Sequence, residues 1–176
     1  MPLSVSSPGP VANRLFSPVH ILAGMALAKV VPGGEIPVFL TSVLSHLALD
    51  AIPHGDTGIS HWVKSSPDRK TKLSRLLPMS VADQAVALIV FLVLLRSPVF
   101  AATPLPLLLA GAVGSMFPDY LTGIRDLLPR PPVWLETLHR FHERCHFHGR
   151  DWFSVRGGLI FQALLVAACM LIAFNR

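Results

Sequence analysis

Residues 80–97 read SVADQAVALIVFLVLLRS, and residues 102–120 read ATPLPLLLAGAVGSMFPDY. Each stretch holds very few charges and is close to the length of about 17–20 residues with which a helix crosses a bilayer. Residues 154–174 meet the same length, residues 36–52 meet it marginally, and residues 18–31 are short enough for a tilted or partly re-entrant helix. We therefore predict an all-α, polytopic helical membrane protein with about five transmembrane helices.

The composition of the whole chain agrees with a membrane protein. Of its 176 residues, 52% are hydrophobic and 14% are charged, whereas a typical soluble domain has about 25% charged residues. These proportions argue against an ordinary soluble enzyme and against a disordered chain. Cys145 and Cys169 lie in different surroundings, which argues against a secreted fold held by disulfides. We expect a flexible tail over residues 1–17 and a single helical membrane domain over residues 18–176.

Basic residues concentrate in two of the predicted loops. The loop after residues 36–52 and the stretch before residues 154–174 hold most of the lysines and arginines, whereas the turn after residues 80–97 has only Arg96. The positive-inside rule places the two rich loops, and the N-terminus with them, in the cytoplasm. We attribute the formal charge of +5 to loops that face anionic lipids, and we expect membrane lipids rather than nucleic acid as partners.

Residues 133–148 differ from the predicted spans because apolar and polar side chains share this stretch at helical spacing. The residues of the apolar stripe are Trp134, Leu135, Leu138, Phe141 and Cys145. Two prolines precede it, at a position where a helix tolerates proline. We predict one amphipathic helix on the cytoplasmic side of the bundle.

Ionisable residues of the apolar segments fall near one predicted depth, at the cytoplasmic ends. His46 and Asp50 are four residues apart and share a helix face, and His142 and His146 have the same spacing on the amphipathic helix. Zinc binds three or four nitrogen, oxygen or sulfur ligands, and paired helical positions deliver two of them from one rigid element. An unpaired carboxylate in a membrane helix is expensive and indicates function. The candidate site residues are His20, His46, Asp50, His54, Asp83, Asp119, His142 and His146.

Structural interpretations of single residues stay open beside the functional one. Asp83 lies early in its segment and could merely favour the positive end of its helix dipole. Asp119 could end its helix and pair with Arg125. His20 alone on an apolar segment is typical of a core or interfacial histidine.

Three stretches together resemble a known family. They are SHLALDAIPH at residues 45–54, HILAG at residues 20–24 and GSMFPD at residues 114–119, and they resemble the predicted membrane-bound, metal-dependent hydrolases of bacterial inner membranes. The resemblance covers residues 18–150 and implies a polytopic helical protein. It implies a site built from His20, His46, Asp50, His54, Asp83 and Asp119, with His142 and His146 as the downstream histidine element. Residues 120–122 lack the acidic residues that often follow in relatives. If a second metal ion sits there in relatives, this chain would hold one, so the number of ions, one or two, stays open.

These features together predict a metal-dependent hydrolase. The ligands of a divalent ion, zinc or alternatively manganese, are then His20, His46, Asp50, His54, His142 and His146, and the catalytic residues are Asp83 and Asp119. The His-x3-Asp spacing is also similar to one ligand pair of the all-helical zinc phospholipases C. That similarity favours a phosphoester of a lipid or lipid-linked substrate at the cytoplasmic leaflet. Two alternatives remain, namely a non-catalytic membrane subunit or scaffold whose His/Asp cluster is a structural polar network, and haem ligation by two histidines.

Overall fold

The computed structural model describes residues 16–52, 62–63, 65–146 and 155–174. Over these ranges the chain is all-helical and contains no strand, which confirms the predicted fold class. The six helices found there are, in chain order, α1 Ser17–Val30, α2 Glu35–Asp50, α3 Arg69–Leu95, α4 Leu105–Leu127, α5 Val133–Cys145 and α6 Val155–Phe174.

Local sequence explains where several of these helices begin. The turn between α1 and α2 contains Gly33 and Gly34 with φ values of 98° and 92°, a backbone conformation that other residues rarely adopt. The Asp68 side chain caps α3 by accepting a hydrogen bond from the backbone N–H of Thr71 at 2.8 Å. Pro132 precedes α5 in an extended conformation and so separates it from α4.

Helix α4 lies at the centre of the bundle, with α1 and α2 packed against it. Gly24 and Gly111 face each other so closely that a Cβ on either would overlap with the carbonyl oxygen of the other. Gly114 approaches the backbone of Phe39 in the same way. Helices α3 and α6 pack against α1, and α5 packs against α4 and α2. Small residues therefore allow the three site-bearing helices α1, α2 and α4 to pack closely.

Polar contacts fasten the outer elements to this centre. Lys29 donates hydrogen bonds to the carbonyl of Val99, at 2.8 Å, and to the carbonyl of Ala173, and it thus joins α1 to the α3–α4 turn and to α6. At the other end of the bundle, Arg69 of α3 donates to the carbonyl of Leu127 of α4 at 2.7 Å. The first residues of α3 and the last residues of α4 therefore lie at the same end.

An ion-pair network holds α5 against α4. Arg125 donates to both carboxylate oxygens of Glu136, at 2.8 and 2.9 Å, and also to Asp126 at 2.8 Å. Lys72 of α3 donates to the same Asp126 oxygen at 2.8 Å. The hydrogen bonds from Arg125 hold the pKa of the Glu136 carboxyl below its ordinary value. The network fixes the position of α5, which carries the predicted metal ligand His142 and is followed directly by His146.

Two helices, α3 and α4, are long and apolar enough to cross a membrane. They have 27 and 23 residues, whereas α1 and α2 have 14 and 16, below the minimum of about 17. In α6 the apolar stretch with described side chains, Ile160–Leu171, is also too short. The prediction of about five transmembrane helices is therefore wrong for the described ranges, which contain two candidates.

The side chains of α3 indicate membrane association. Within this helix, all of which is described, only Ala87 is buried. Val81, Ile89 and Val93 are 67%, 60% and 64% exposed. A helix in the core of a soluble protein would bury such side chains, whereas lipid accommodates them.

Helix α5 has the predicted amphipathic character. Leu135 and His142 are buried against the bundle, whereas Trp134 and Phe141, each one residue earlier, are exposed on a neighbouring face. The helix ends at Cys145, short of the predicted end at residue 148. Its cytoplasmic location stays a prediction.

Candidate metal centre

Most of the predicted site residues converge where α1, α2, α4 and α5 meet. His20, His46 and Asp50 are 0%, 0% and 1% exposed. His54 lies outside the described residues, and Asp83 stands apart from the cluster. The side chains that converge are His20 of α1, His46 and Asp50 of α2, Asp119 of α4, His142 of α5, and His146 directly after α5.

The carboxylate of Asp50 is the centre of this cluster. Its Oδ2 lies 3.0 Å from His142 Nε2, 3.1 Å from His46 Nε2 and 3.4 Å from His146 Nε2. Its Oδ1 lies 3.3 Å from His20 Nε2. Asp50 ends α2, which is not one of the two candidate spans. Burial raises the pKa of its carboxyl, but polar contacts with His142, His20 and His46 more than offset this effect and hold the pKa well below its ordinary value.

The tautomer of His46 follows from its backbone contact. Its Nδ1 lies 2.6 Å from the carbonyl oxygen of Ser115. Because a carbonyl only accepts, Nδ1 carries the hydrogen, and in the neutral ring Nε2 carries the lone pair. That Nε2 faces Asp50 Oδ2 at 3.1 Å and His142 Nε2 at 3.0 Å. A lone pair this close to a carboxylate oxygen is repelled unless a cation, either a proton or a metal ion, lies between them.

Helix α4, which contacts His46, also holds the ring of His142. The Nδ1 of His142 lies 3.1 Å from the hydroxyl oxygen of Thr122, which is buried. When that hydroxyl accepts from Nδ1, the neutral ring presents the lone pair of Nε2 to the cluster, as in His46. Metal-binding histidines commonly donate their other ring N–H to a protein oxygen that orients the ring.

Buried polar atoms of His20 and Asp119 have no hydrogen bond from the described part of the chain. His20 stacks on His46 with ring centroids 4.1 Å apart, yet neither of its ring nitrogens is hydrogen-bonded to any residue that the structure describes. Within the same ranges the buried Oδ1 of Asp119 also has no hydrogen bond, and it lies 3.9 Å from His46 Nε2. Buried polar atoms without partners are rare in folded proteins, and a bound ion can satisfy them.

The dimensions of the cluster fit a small divalent ion. Ligands at about 2.0–2.2 Å from a tetrahedral ion lie about 3.4 Å from one another. The contacts between ligand atoms of 3.0–3.9 Å span this value. Donor atoms within 4.8 Å of one another form three overlapping groups, which are His20, His46 and Asp50, then His46, Asp119 and His142, then Asp50, His142 and His146.

Asp83 has a different position. Its Oδ2 accepts hydrogen bonds from the backbone N–H of Ser17 at 3.2 Å and from the Ser17 hydroxyl at 2.5 Å. Asp83 belongs to α3, and its side chain caps the first turn of α1, the helix that carries His20. Ser17 is buried and already helical, although the tail was predicted to include it. A catalytic part for Asp83 stays a prediction.

The structural interpretation of Asp119 as a partner of Arg125 is wrong. Arg125 bonds to Glu136 and Asp126 instead. Asp119 lies at the edge of the cluster, where its side chain is 23% exposed. It borders a cavity of about 600 Å³ that Asp83 and Tyr120 also line. Asp119 is therefore the member of the cluster that a molecule in this cavity can reach.

Sequence reasoning missed the residues that orient the histidines. The missed residues are Ser115 and Thr122 of α4. They lie four residues before and three residues after the predicted Asp119, so all three share one helix face. This spacing around Asp119 is a signal that identifies Thr122 as a candidate. Ser115 contributes its backbone carbonyl, and no pattern of residue types reveals that contact.

Comparisons with known proteins gave no match to any protein-family model, to any curated protein or to any solved structure. The resemblance to membrane-bound hydrolases therefore stays a prediction. The candidate centre depends on its own residues, distances and burial.

Proposed function

We propose that this chain is a membrane-embedded, metal-dependent hydrolase that cleaves a phosphoester of a lipid or lipid-linked substrate at the cytoplasmic leaflet. One observation carries the proposal. His46 donates through Nδ1 to the Ser115 carbonyl at 2.6 Å and directs Nε2 at Asp50 and His142. This arrangement calls for a cation among three buried side chains, and a metal ion satisfies all three at once.

The residues would divide between holding the ion and acting on water. His46, Asp50, His142 and His146 are its ligands, with His20 next to Asp50 as a further one. We propose zinc, with manganese as the alternative. A divalent ion here supplies Lewis acidity, which polarises a phosphoryl oxygen and brings the pKa of water to about 7.

Asp119 is the proposed general base. Its Oδ1 is buried, has no hydrogen bond from the described residues and lies 3.9 Å from His46 Nε2, between the ligands and the cavity. It can accept the proton of the attacking water while the P–O bond to the leaving group breaks and the leaving oxygen takes up a proton. Asp83 supports the site through Ser17 and the first turn of α1, and it faces the same cavity.

The two candidate spans and the basic residues near their ends support the proposed location of the site at the cytoplasmic side of the membrane. The Arg69–Leu127 contact places the start of α3 and the end of α4 on one side. Lys72 and Arg125 lie on that side, and the positive-inside rule assigns it to the cytoplasm. We propose a bacterial inner membrane, which the family resemblance implies, with the N-terminus in the cytoplasm.

The alternative of a non-catalytic subunit treats the cluster as a structural polar network. The close Gly24–Gly111 contact favours tight packing in either case. A network that serves only stability is expected to satisfy its buried members, because a half-satisfied network costs more than an apolar core. His20 and Asp119 Oδ1 have no hydrogen bonds among the described residues, and this favours the metal site.

Metal analysis of the purified protein tests the ligand assignment. Wild-type protein should retain a stoichiometric divalent ion, and the His46→Ala/Asp50→Ala double variant should lose it, as measured by inductively coupled plasma mass spectrometry. Glu35→Ala is the control, because this carboxylate also belongs to α2 but is exposed in its first turn and is in none of the three ligand groups. Stoichiometric metal in the double variant would contradict the assignment.

The role of Asp119 needs an activity assay. We expect wild-type protein to hydrolyse bis(4-nitrophenyl) phosphate in the presence of zinc or manganese. Asp119→Asn should keep the metal and lose most of this hydrolysis, since one amide replaces one carboxylate of similar size. Loss of thermal stability in His46→Ala, without any bound metal or activity in wild type, would support the structural network instead.

A further inference from the structure

A groove between α3 and α4 leads away from the candidate metal centre. Its apolar part has a volume of about 190 Å³ and carries no charged side chain on its walls. The apolar side chains of the two candidate spans that form these walls are Ala87, Leu88, Phe91, Leu109, Ala112 and Val113.

The groove adjoins the cavity beside Asp119. Gln84 and Tyr120 line both, so the apolar part begins where the polar part ends. The Tyr120 hydroxyl donates to Gln84 Oε1 at 3.1 Å, and Gln84 Nε2 donates to the Ser17 hydroxyl at 2.8 Å. These hydrogen bonds mark the boundary between the two parts.

We infer that the groove between α3 and α4 binds one acyl chain of a membrane lipid, with the lipid head group in the polar cavity beside Asp119. This inference rests on the proposed function and names the substrate class, a lipid drawn from the surrounding bilayer. The polar part presents the carboxylates of Asp83, Asp119 and Asp126, whereas the described walls of the apolar part are hydrocarbon and aromatic beyond Gln84 and Tyr120.

The shape of the groove favours a lipid over a water-soluble substrate. A small polar substrate would fill only the cavity at Asp119. It has no apolar part that could occupy the groove between α3 and α4. Leu88 and Val113 at the groove are 56% and 46% exposed on helices that are candidate spans. In a bilayer these side chains would meet lipid, so an acyl chain can enter sideways without crossing water.

Photo-crosslinking tests the occupant independently of catalysis. Full-length protein is reconstituted in vesicles of phosphatidylethanolamine and phosphatidylglycerol that contain phosphatidic acid with a diazirine at the end of one acyl chain. We expect labelling of peptides that contain Leu88 to Phe91 or Leu109 to Val113, located by mass spectrometry. Val113→Trp, which fills the groove, should lose this labelling. The matched control Val93→Trp, also on an exposed valine of a candidate span, should keep it.

Each outcome decides the inference, and metal content measured on the same samples separates it from the proposed function. Equal labelling in Val113→Trp and wild type, or labelling confined to the Val93 side of α3, overturns the groove. Groove labelling that Val113→Trp removes supports it even if no metal is bound, and in that case only the hydrolase proposal fails. Bound metal without groove labelling overturns the inference and leaves the metal centre intact. The wild-type label map does not depend on whether a variant folds.

Discussion

His46 and His142, which are 96 residues apart in the chain, bring their Nε2 atoms to 3.0 Å from each other. The other nitrogen of each ring contacts α4, His46 through the Ser115 carbonyl at 2.6 Å and His142 through the Thr122 hydroxyl at 3.1 Å. One helix therefore sets the orientation of two rings that belong to α2 and α5. When the Thr122 hydroxyl accepts from His142, the two imidazole lone pairs face each other, and a cation between them, either a proton or a metal ion, removes their repulsion.

Removing the Thr122 hydroxyl should weaken metal binding without removing a ligand. In Thr122→Val the His142 ring loses its orienting partner, and we expect the affinity for zinc to fall by about 10- to 100-fold. Thr137→Val is the control, because the Thr137 hydroxyl bonds to the carbonyl of Val133 within its own helix. Titration against a chromogenic chelator measures both affinities. Equal affinities in the two variants would show that Thr122 does not position His142.

Helical spacing predicted the part of the site that lies within single helices. His46 and Asp50 share a face of α2, and the predicted convergence with His20, Asp119 and His142 is present. The lysine and arginine pattern predicts that these groups lie at one depth, because helix ends and charged loops lie together in membrane proteins. The prediction that side chains from different helices converge was based only on their shared predicted depth in the membrane.

Other features could not be derived from the sequence. Asp83 caps α1 across the bundle through Ser17, a contact between residues 66 positions apart, and a local capping pattern does not reveal it. The number of candidate spans was overestimated because α1 and α2 are apolar but too short. Most apolar residues of α1 are buried in packing, whereas Ile36, Leu40 and Leu44 of α2 are exposed. The orienting role of Ser115 belongs to a backbone atom, which residue identity does not encode.

The Gly24–Gly111 contact should be indispensable for the packing of α1 on α4. In Gly24→Ala the added Cβ would overlap with the Gly111 carbonyl and crowd the Ser115 hydroxyl. Overpacking of this kind costs about 1–3 kcal/mol, and the shift of α1 should also displace His20. Gly123→Ala is the control, because nothing lies within 4 Å of its added Cβ and alanine favours a helix by up to about 1 kcal/mol. Thermal unfolding should show a lower Tm for the first variant only, and equal Tm values would contradict the close packing.

The Arg125–Glu136 ion pair should stabilise the docking of α5 in a pH-dependent way. Hydrogen bonds from Arg125 lower the pKa of Glu136 from its ordinary value of 4.5. A carboxylate whose pKa is lower in the folded state than in the unfolded state stabilises the folded state at pH values above its ordinary pKa. This stabilisation is lost as the pH falls through the pKa of the folded state. Glu136→Gln should therefore have a lower Tm than wild type at neutral pH, and the difference should shrink as the pH falls below 4.5. Both proteins are first treated with a chelator to remove bound metal. Because they contain the same histidines, the effect of histidine protonation on Tm cancels in the difference between them. A Tm difference that is constant over this pH range would mean that the charge of Glu136 plays no part in holding α5.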